Sequence, residues 1–229
     1  NYVAPEDHPV SLRDYRIHMS FIAELSKKFE GARQNVALHA GELTLGLVPP
    51  EHLGWHIRDA VRIAGAKRIG HGIDISYDPD MYQTLQLMAE GEVAVEINLT
   101  SNDVILGVSG KDHPISIYLE NSVPITISTD DEGVSRINLT HEYQRAVETF
   151  DLGYETIKTI SRNALQYSFL PGSSLFQNTM DGSLDNECRK GLPQDLEDRS
   201  NCSDFILQSE KALMQWQLEK NFTTFEANF

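Results

Sequence analysis

Four short apolar runs alternate with segments of helical spacing in the first 168 residues. The runs are rich in Val, Ile and Leu, and they read NVALHA (35–40), RIGHGIDI (68–75), VAVEINLT (93–100) and VPITIST (123–129). Runs that are apolar on both faces are typical of parallel strands covered by helices. The sequence therefore predicts an α/β protein with a parallel sheet.

The segments between these runs have the apolar spacing and the end residues of helices. The first segment places five apolar residues close to one helical face: Leu12, Tyr15, Met19, Ile22 and Leu25. The second segment opens with Pro49 and Pro50 and is followed by Gly65, which are expected start and stop residues. Further helices are predicted over 79–90, 113–121, 139–150 and 154–168.

Polar residues follow each apolar run, and their positions favour one type of parallel sheet. The run ends carry His39 and Glu42, then His71, then Ser101 and Asn102, then Asp130 and Asp131. In a (β/α)8 barrel, the C-terminal ends of all strands converge on one mouth, whereas an open sheet brings only neighbouring strand ends together. The chain also lacks the G-x-G-x-x-G loop of nucleotide folds. We therefore expect a barrel rather than an open doubly wound sheet.

Charge narrows the class of partner. The 229 residues include 19 Lys and Arg against 34 Asp and Glu, which gives a formal net charge of −15. This charge would repel nucleic acid and anionic membranes, so we expect neither as a partner and favour a small molecule. No run approaches the roughly 18 apolar residues of a membrane span. Apart from His39 and His71, the histidines are expected at the surface: His8, His18, His52, His56, His113 and His141.

The residues at the run ends suit a metal-dependent hydrolytic site. Zinc takes imidazole nitrogen and carboxylate oxygen as ligands, so His39 and Asp130 suit two positions of its shell. Glu42 would then act as a general acid and base, His71 would hold the water, and Asp131 would accept a hydrogen bond from substrate. Taken singly, each has an ordinary structural explanation: a core histidine, a tight turn or a helix N-cap. Their convergence at four strand ends favours the site.

Four motifs, in this order, resemble the C-terminal half of the adenosine deaminase family of metal-dependent hydrolases. They are HAGE (39–42), RIGHG (68–72), LTSN (99–102) and STDDEG (128–133), and the likeness covers about residues 1–170. The C-terminal sequence SEKALMQWQLEKNFTTFEANF also resembles that of a bacterial subgroup of adenosine deaminase-like proteins. The resemblance implies zinc-dependent hydrolytic deamination of adenosine, or of a related 6-aminopurine, to inosine and ammonia.

The resemblance also assigns a role to each matched residue. It implies that His39 is a zinc ligand and that Asp130 completes the metal shell. Glu42 would donate a proton to a purine ring nitrogen, and His71 would orient the attacking hydroxide. Asp131 would bind the purine.

Two departures from the family pattern indicate a half-barrel. The family's first strand carries a His-x-His metal pair, which this sequence lacks, and four strands are present where a barrel needs eight. NYVAPED (1–7) resembles the family's Asp-x-x-Gly-x-Glu segment after the fourth strand, with Ala4 in place of a glycine, a change expected to alter selectivity. Residues 1–170 are therefore predicted to form the second half of a TIM barrel, about four βα units.

The half-barrel interpretation is compatible with three explanations of the chain. The chain could be a fragment, one piece of a nicked enzyme, or a natural half-barrel that pairs with itself. Because a half-barrel leaves open sheet edges, we expect either the missing N-terminal half-barrel or a homodimer partner. An alternative function is a non-catalytic half-barrel that binds a purine or a protein partner.

The last part of the chain, 171–229, is predicted to be an irregular segment followed by a C-terminal helix that packs on the barrel. Cys188 and Cys202 fall here, and two readings compete: a disulfide in an oxidising compartment, or two unrelated thiols in the cytosol. We favour the disulfide, because the residues between the cysteines offer little with which to build a core. An exported or periplasmic location is therefore expected, with the cytoplasm as the alternative.

Overall fold

The four apolar runs form one parallel sheet in sequence order. The computed structural model describes residues 5–29, 31, 35–197 and 200–229. The strands of the sheet are β1 (Ala37–Ala40), β2 (Arg68–His71), β3 (Ala94–Ile97) and β4 (Ile125–Ile127). Each pairs in parallel with its neighbour along the chain, and the register sets Ala40 opposite His71. The predicted α/β class and parallel sheet are confirmed.

Helices precede, separate and follow the strands. The helices up to the end of the sheet are α1 (Pro9–Lys28), α2 (His56–Arg62), α3 (Met81–Glu90), α4 (Leu99–Leu106) and α5 (Ile115–Glu120). After β4 come α6 (Glu132–Ser135), α7 (Leu139–Phe150) and α8 (Tyr154–Gln166). None of the helices in the described ranges has the length and apolar content to cross a bilayer.

The strands are shorter than the apolar runs, and two runs change structure midway. His71 and Gly72 both take left-handed backbone angles, with φ of 70° and 63°, so β2 stops and a 3-10 helix (Ile73–Tyr77) follows. The end of the third run begins α4 (Leu99–Leu106), a helix that the sequence did not predict. Both changes bend the chain at the strand ends, where the predicted site residues lie.

The two middle strands of the sheet are largely buried, whereas the edge strand β1 is partly exposed. Ile69, Val95 and Ile97 are fully buried in the two middle strands. In β1, by contrast, Ala37 and His39 are exposed. Within the described residues, β1 and β4 each have a single hydrogen-bonded neighbour in the sheet. These open edges fit the predicted half of a (β/α)8 barrel.

The chain divides into two compact units, the first ending at Ile157 and the second covering Lys158–Phe229. The second unit contains an antiparallel pair, β5 (Phe176–Asn178) and β6 (Ser183–Leu184), where the sequence predicted an irregular segment. The predicted terminal helix is two helices, α9 (Asn201–Leu207) and α10 (Glu210–Glu226). Its packing against the barrel stays a prediction.

The second unit has its own core, built around a disulfide. Cys188 and Cys202 are bonded, which confirms the predicted disulfide. Seven buried residues form this core: Leu175, Phe176, Cys188, Cys202, Ile206, Ala212 and Trp216. Trp216 is held there by the hydrogen bond that its ring N–H donates to the carbonyl of Pro193.

Candidate active site

The turn after β1 places two of the predicted site residues side by side. His39 is on the strand, and Gly41 makes the turn that leads to Glu42, with a φ of 78°. A Cβ at Gly41 would lie 2.4 Å from Oδ1 of Asp74 and 2.9 Å from Cδ1 of Ile57. Glycine is therefore required here by both the backbone angle and the lack of space.

The buried carboxylate of Glu6 fixes the backbone of this turn. Glu6 accepts hydrogen bonds from the backbone N–H groups of Gly41 and Glu42, each at 2.9 Å, and from Nδ1 of His56 at 2.5 Å. Burial acts to raise the pKa of Glu6, but the hydrogen bond and charge of His56 and the two backbone donors outweigh it. The pKa of Glu6 is therefore below its ordinary value. Glu6 is thus an anion that fixes the backbone on which Glu42 stands.

Glu42 has the electrostatic surroundings of a proton donor. Its side chain is 19% exposed. Burial raises the pKa of Glu42 to about 7, and the negative charges of Asp130 and Glu6 add to the rise. A carboxyl group with a pKa near neutrality is populated in both protonation states, which suits general acid and base work.

His71 lies at the end of β2, beside His39 and Glu42. Its ring centroid is 5.0 Å from that of His39, and its Nδ1 is 3.6 Å from Oε1 of Glu42. The side chain is almost fully buried. Burial and the neighbouring charge of His39 lower the pKa of His71 to about 4, so the ring is neutral at physiological pH.

Asp130 joins this group from the end of β4. Its Oδ2 is 4.0 Å from Nε2 of His71 and accepts a hydrogen bond from Oγ of Ser101 at 2.7 Å. Asp131 follows it, exposed, at the start of α6, and its charge contributes to the raised pKa of Glu42. The five predicted residues therefore lie around one region at the C-terminal ends of the strands.

Three side chains in this region could hold a metal ion. Ligand atoms of His39, Glu42 and His71 all lie within 4.8 Å of one another, the one such group found in the described part of the chain. Asp130 is not a member of this group, although it lies near His71. The sequence paired His39 with Asp130 as ligands, and that assignment stays a prediction. Ala4, expected to alter selectivity, lies outside the described residues.

Two histidines that the sequence assigned to the surface are buried, so that expectation was wrong for them. His56 is bonded to Glu6 and its ring stacks on Tyr15, with centroids 4.1 Å apart. A signal existed for His56, because it is four residues before Ala60 and so shares the apolar face of α2. His113 is buried beside Asn102, for which helical spacing offered no indication.

Comparisons with known proteins find similarity over the greater part of the chain. The family model described as adenosine deaminase matches residues 18–177, more than half of the chain. An adenosine deaminase of Clostridium perfringens (strain ATCC 13124) is 35% identical over 147 residues, covering 64% of this chain and 41% of that protein. An adenosine deaminase of Vibrio vulnificus (strain YJ016) is 36% identical over 132 residues, covering 56% of this chain and 37% of that protein.

A solved structure supports the fold. The crystal structure of an adenine deaminase from Arthrobacter aurescens superposes with a TM-score of 0.53 at 22% identity. The match covers 66% of this chain and 43% of the other. The chain thus spans about two fifths of the length of the relatives it matches.

Proposed function

Since the chain belongs to the adenosine deaminase family, we propose that it supplies the proton-transferring residues of an active site that deaminates adenosine or a related 6-aminopurine by hydrolysis. The observation that carries this proposal is the close grouping of Glu42 with His39 and His71, whose ligand atoms all lie within 4.8 Å of one another. Burial in this group raises the pKa of Glu42 to about 7. A surface glutamate would be fully ionised at neutral pH and could not give up a proton. Relatives of this chain are named adenosine deaminase, which fits the same chemistry.

Each site residue has a role in this proposal. Protonated Glu42 donates its proton to a ring nitrogen of the purine, which makes the amine-bearing carbon more electrophilic. His71 holds the attacking water, and Asp131, exposed at the mouth, accepts a hydrogen bond from the purine. One proton of the water passes to the amine, which leaves as ammonia, and the other returns to the carboxylate of Glu42, so the ring keeps the oxygen of the water.

The donor set fits a zinc ion. His39 offers an imidazole nitrogen and Asp130 a carboxylate oxygen, and both lie next to the same His71 ring. These are ligand types that zinc takes in hydrolytic sites. We propose that His39 and Asp130 hold the ion; the chemistry that it supplies when bound is activation of water at neutral pH. A His-x-His pair, which the sequence lacks, would have to come from outside the chain.

A missing N-terminal half-barrel is the proposed source of that pair. β1 and β4 have open edges among the described residues, and His39 is exposed on β1. An exposed apolar stripe also runs along α1 at Ile17, Phe21 and Leu25 and continues to Phe29, just beyond the end of the helix. Stripes of this kind mark surfaces that another part of a protein covers. A second copy of the chain would cover the same surfaces without adding the histidine pair.

The decisive experiment is a deamination assay on the protein as its gene encodes it, with any upstream coding sequence included. Loss of adenosine absorbance and release of ammonia, together with stoichiometric zinc, are expected. The variant Glu42→Gln should lower turnover by about 10²–10⁴-fold and keep its zinc, because only the transferable proton is removed. Glu120→Gln, at an exposed position on α5, is the matched control and should retain wild-type turnover.

Other results would overturn the proposal. Equal turnover in Glu42→Gln and wild type would remove the proton-donor role. An intact gene product with neither zinc nor turnover would instead favour the non-catalytic half-barrel, a reading supported by the missing His-x-His pair. Calorimetric binding of adenosine without turnover would then identify a purine-binding module.

An oxidising compartment, exported or periplasmic, is proposed for the chain. The support is the disulfide Cys188–Cys202, since structural disulfides persist mainly outside the reducing cytosol. Fractionation of the native cells, followed by blotting, tests this location. Recovery of the protein with the cytosolic fraction would contradict it.

A further inference from the structure

We propose that His113 and Asn102 are positioning residues that hold the ring of His71 in the tautomer with its proton on Nε2. That nitrogen lies 4.0 Å from Asp130, at the centre of the site. The inference follows a chain of hydrogen bonds that begins at a backbone N–H group and ends at the His71 ring. We call the residues Ile115, His113, Asn102 and His71 the relay.

The relay begins at Ile115, whose N–H group has a fixed direction of donation. It donates to Nδ1 of His113 at 3.2 Å. A ring nitrogen that accepts a hydrogen bond cannot carry a proton, so the proton of His113 is on Nε2. His113 as a whole is 3% exposed, and burial together with the charge of Arg145 lowers its pKa to about 4. The ring is therefore neutral and has one proton to donate.

The next step fixes the orientation of an amide. Nε2 of His113 lies 3.2 Å from Oδ1 of Asn102, and because that nitrogen is a donor, the atom facing it must be the amide oxygen. The amide nitrogen of Asn102 then faces the other way, 3.0 Å from Nδ1 of His71. Asn102 is fully buried, so solvent offers its amide no substitute partner.

The last step assigns the His71 proton. Both hydrogens on the nitrogen of Asn102 are donors, so Nδ1 of His71 accepts, and Nδ2 of Asn98 lies 3.4 Å from the same atom. The neutral ring of His71 consequently carries its proton on Nε2. The reverse tautomer would require Asn102 to turn its nitrogen toward His113, leaving two donors face to face.

This tautomer has a chemical consequence for the candidate metal group. Metal binding needs a free nitrogen lone pair, yet Nδ1 of His71 is engaged by Asn102 and Nε2 carries the proton. The relay therefore keeps His71 out of the metal shell, although its ligand atom lies within 4.8 Å of those of His39 and Glu42. His71 instead presents an N–H donor. The use of this donor to hold the attacking water rests on the proposed function, whereas the tautomer does not.

Long-range ¹H–¹⁵N correlation spectra of the ¹⁵N-labelled chain at mildly alkaline pH test the proposal, because the pattern of cross-peaks distinguishes the two neutral tautomers of histidine. The His71 and His113 signals are identified as those lost in His71→Asn and His113→Leu. We expect both rings in the wild type to show the Nε2–H pattern. An Nδ1–H pattern for His71 in the wild type overturns the proposal without recourse to any variant.

Two variants test the relay itself. Asn102→Asp replaces the donor with a second acceptor oxygen, so the proton of His71 should move to Nδ1. His113→Leu removes the group that orients the amide, so His71 should become a mixture of tautomers. His141→Leu, which removes an exposed histidine of α7, is the matched control and should leave His71 unchanged.

Circular dichroism identifies a variant that fails to fold, and the remaining variant then decides the question together with the wild type. A folded Asn102→Asp or His113→Leu in which His71 keeps a pure Nε2–H pattern overturns the relay. Because the spectra require no substrate, failure of the relay and failure of the deaminase assignment are separate results.

Discussion

The carboxylate of Glu6 accepts a hydrogen bond from Nδ1 of His56 at 2.5 Å, and neither side chain is more than 1% exposed. The same carboxylate accepts the backbone N–H groups of Gly41 and Glu42. One buried anion therefore ties α2 to the turn that carries the proposed proton donor. The stability of this turn should depend on the charge and on the acceptor capacity of Glu6.

The variant Glu6→Gln replaces one acceptor oxygen with an NH₂ group that must face a donor. We expect the free energy of unfolding to fall by about 1–3 kcal/mol, the cost of a buried polar group without its partner. Urea denaturation measures the loss. Glu24→Gln, at an exposed position of α1, is the control and should change stability by less than about 0.5 kcal/mol. Similar losses in the two variants would mean that Glu6 does not hold the turn.

Asp74 should make stability depend on pH. Its Oδ2 accepts the N–H group of Gly54, while its Oδ1 has no hydrogen-bond partner among the described residues. Burial raises the pKa of Asp74 from 3.8 to about 7, and the charge of Glu6 adds to the rise. Because the folded state holds the proton more tightly than the unfolded chain, the resulting stability is complete below pH 3.8 and is lost as pH rises through about 7.

The variant Asp74→Asn isolates this effect, since Asn imitates the protonated acid and cannot ionise. Its free energy of unfolding, relative to wild type, should increase with pH across this window by up to about 1.4 kcal/mol per pH unit. Urea denaturation at a series of pH values measures the difference. The difference is the relevant quantity, because Glu42, with a pKa of about 7, titrates in both proteins. Parallel stability curves for the two proteins would contradict the prediction.

Gly41→Ala should lower the free energy of unfolding more than replacement of an unconfined glycine, because Gly41 makes the tight turn after β1. Gly46 is the matched control, because both glycines have a positive φ, 78° and 97°, but a Cβ at Gly46 meets nothing within 4 Å. Gly46→Ala should cost about 1–2 kcal/mol for the left-handed backbone alone. Gly41→Ala adds a clash with Asp74 and Ile57, expected to cost about 1–3 kcal/mol more. Equal losses of unfolding free energy in the two variants, measured by urea denaturation, would show that the turn can accommodate the added methyl group.

The sheet and the meeting of the site residues could be predicted from sequence because both depend on local pattern. Apolar runs marked the strands, and the C-terminal ends of parallel strands share one edge, so His39, His71 and Asp130 were expected near one another. The end of the third run could not be predicted. Leu99 continues an apolar run and also begins α4, and periodicity does not separate a short strand from a helix start.

The buried histidines show a second limit of sequence reasoning. Whether a polar side chain is buried depends on the partner that satisfies it, and that partner can lie far away in the chain. His56 is paired with Glu6, 50 residues earlier, and His113 with Asn102 across a loop. The same applies to the carboxyl of Glu42, whose raised pKa comes from burial and from the charge of Asp130 on another strand end.

Ser101→Ala should weaken zinc binding if Asp130 is a ligand, as proposed. The hydroxyl of Ser101 donates to Oδ2 of Asp130 at 2.7 Å, and groups that orient a ligand typically contribute about 10–100-fold to metal affinity. Competition with a chromophoric chelator measures the affinity. Ser20→Ala, which removes an exposed hydroxyl of α1, is the control and should bind zinc as wild type does. Unchanged affinity in Ser101→Ala would speak against Asp130 as a ligand.

Replacement of both Cys188 and Cys202 by Ala should destabilise the second unit. The disulfide closes a loop with a sequence separation of 14 and lies in the same core as Trp216. Its loss frees that loop in the unfolded chain, so the free energy of unfolding should fall by about 2–4 kcal/mol. The chain has two tryptophans, so a Trp55→Phe background leaves Trp216 as the one fluorescent reporter of this core during urea denaturation.

A reducing agent separates the effect of the disulfide from the effect of the lost side-chain volume. Reduction should lower the stability of the Trp55→Phe protein toward that of the double alanine variant, because the loop is released in both. The double alanine variant itself should not respond, since it has no disulfide to reduce. If reduction leaves the Trp55→Phe protein as stable as before, the alanine effect comes from packing around Leu175 and Ile206 rather than from the covalent bond.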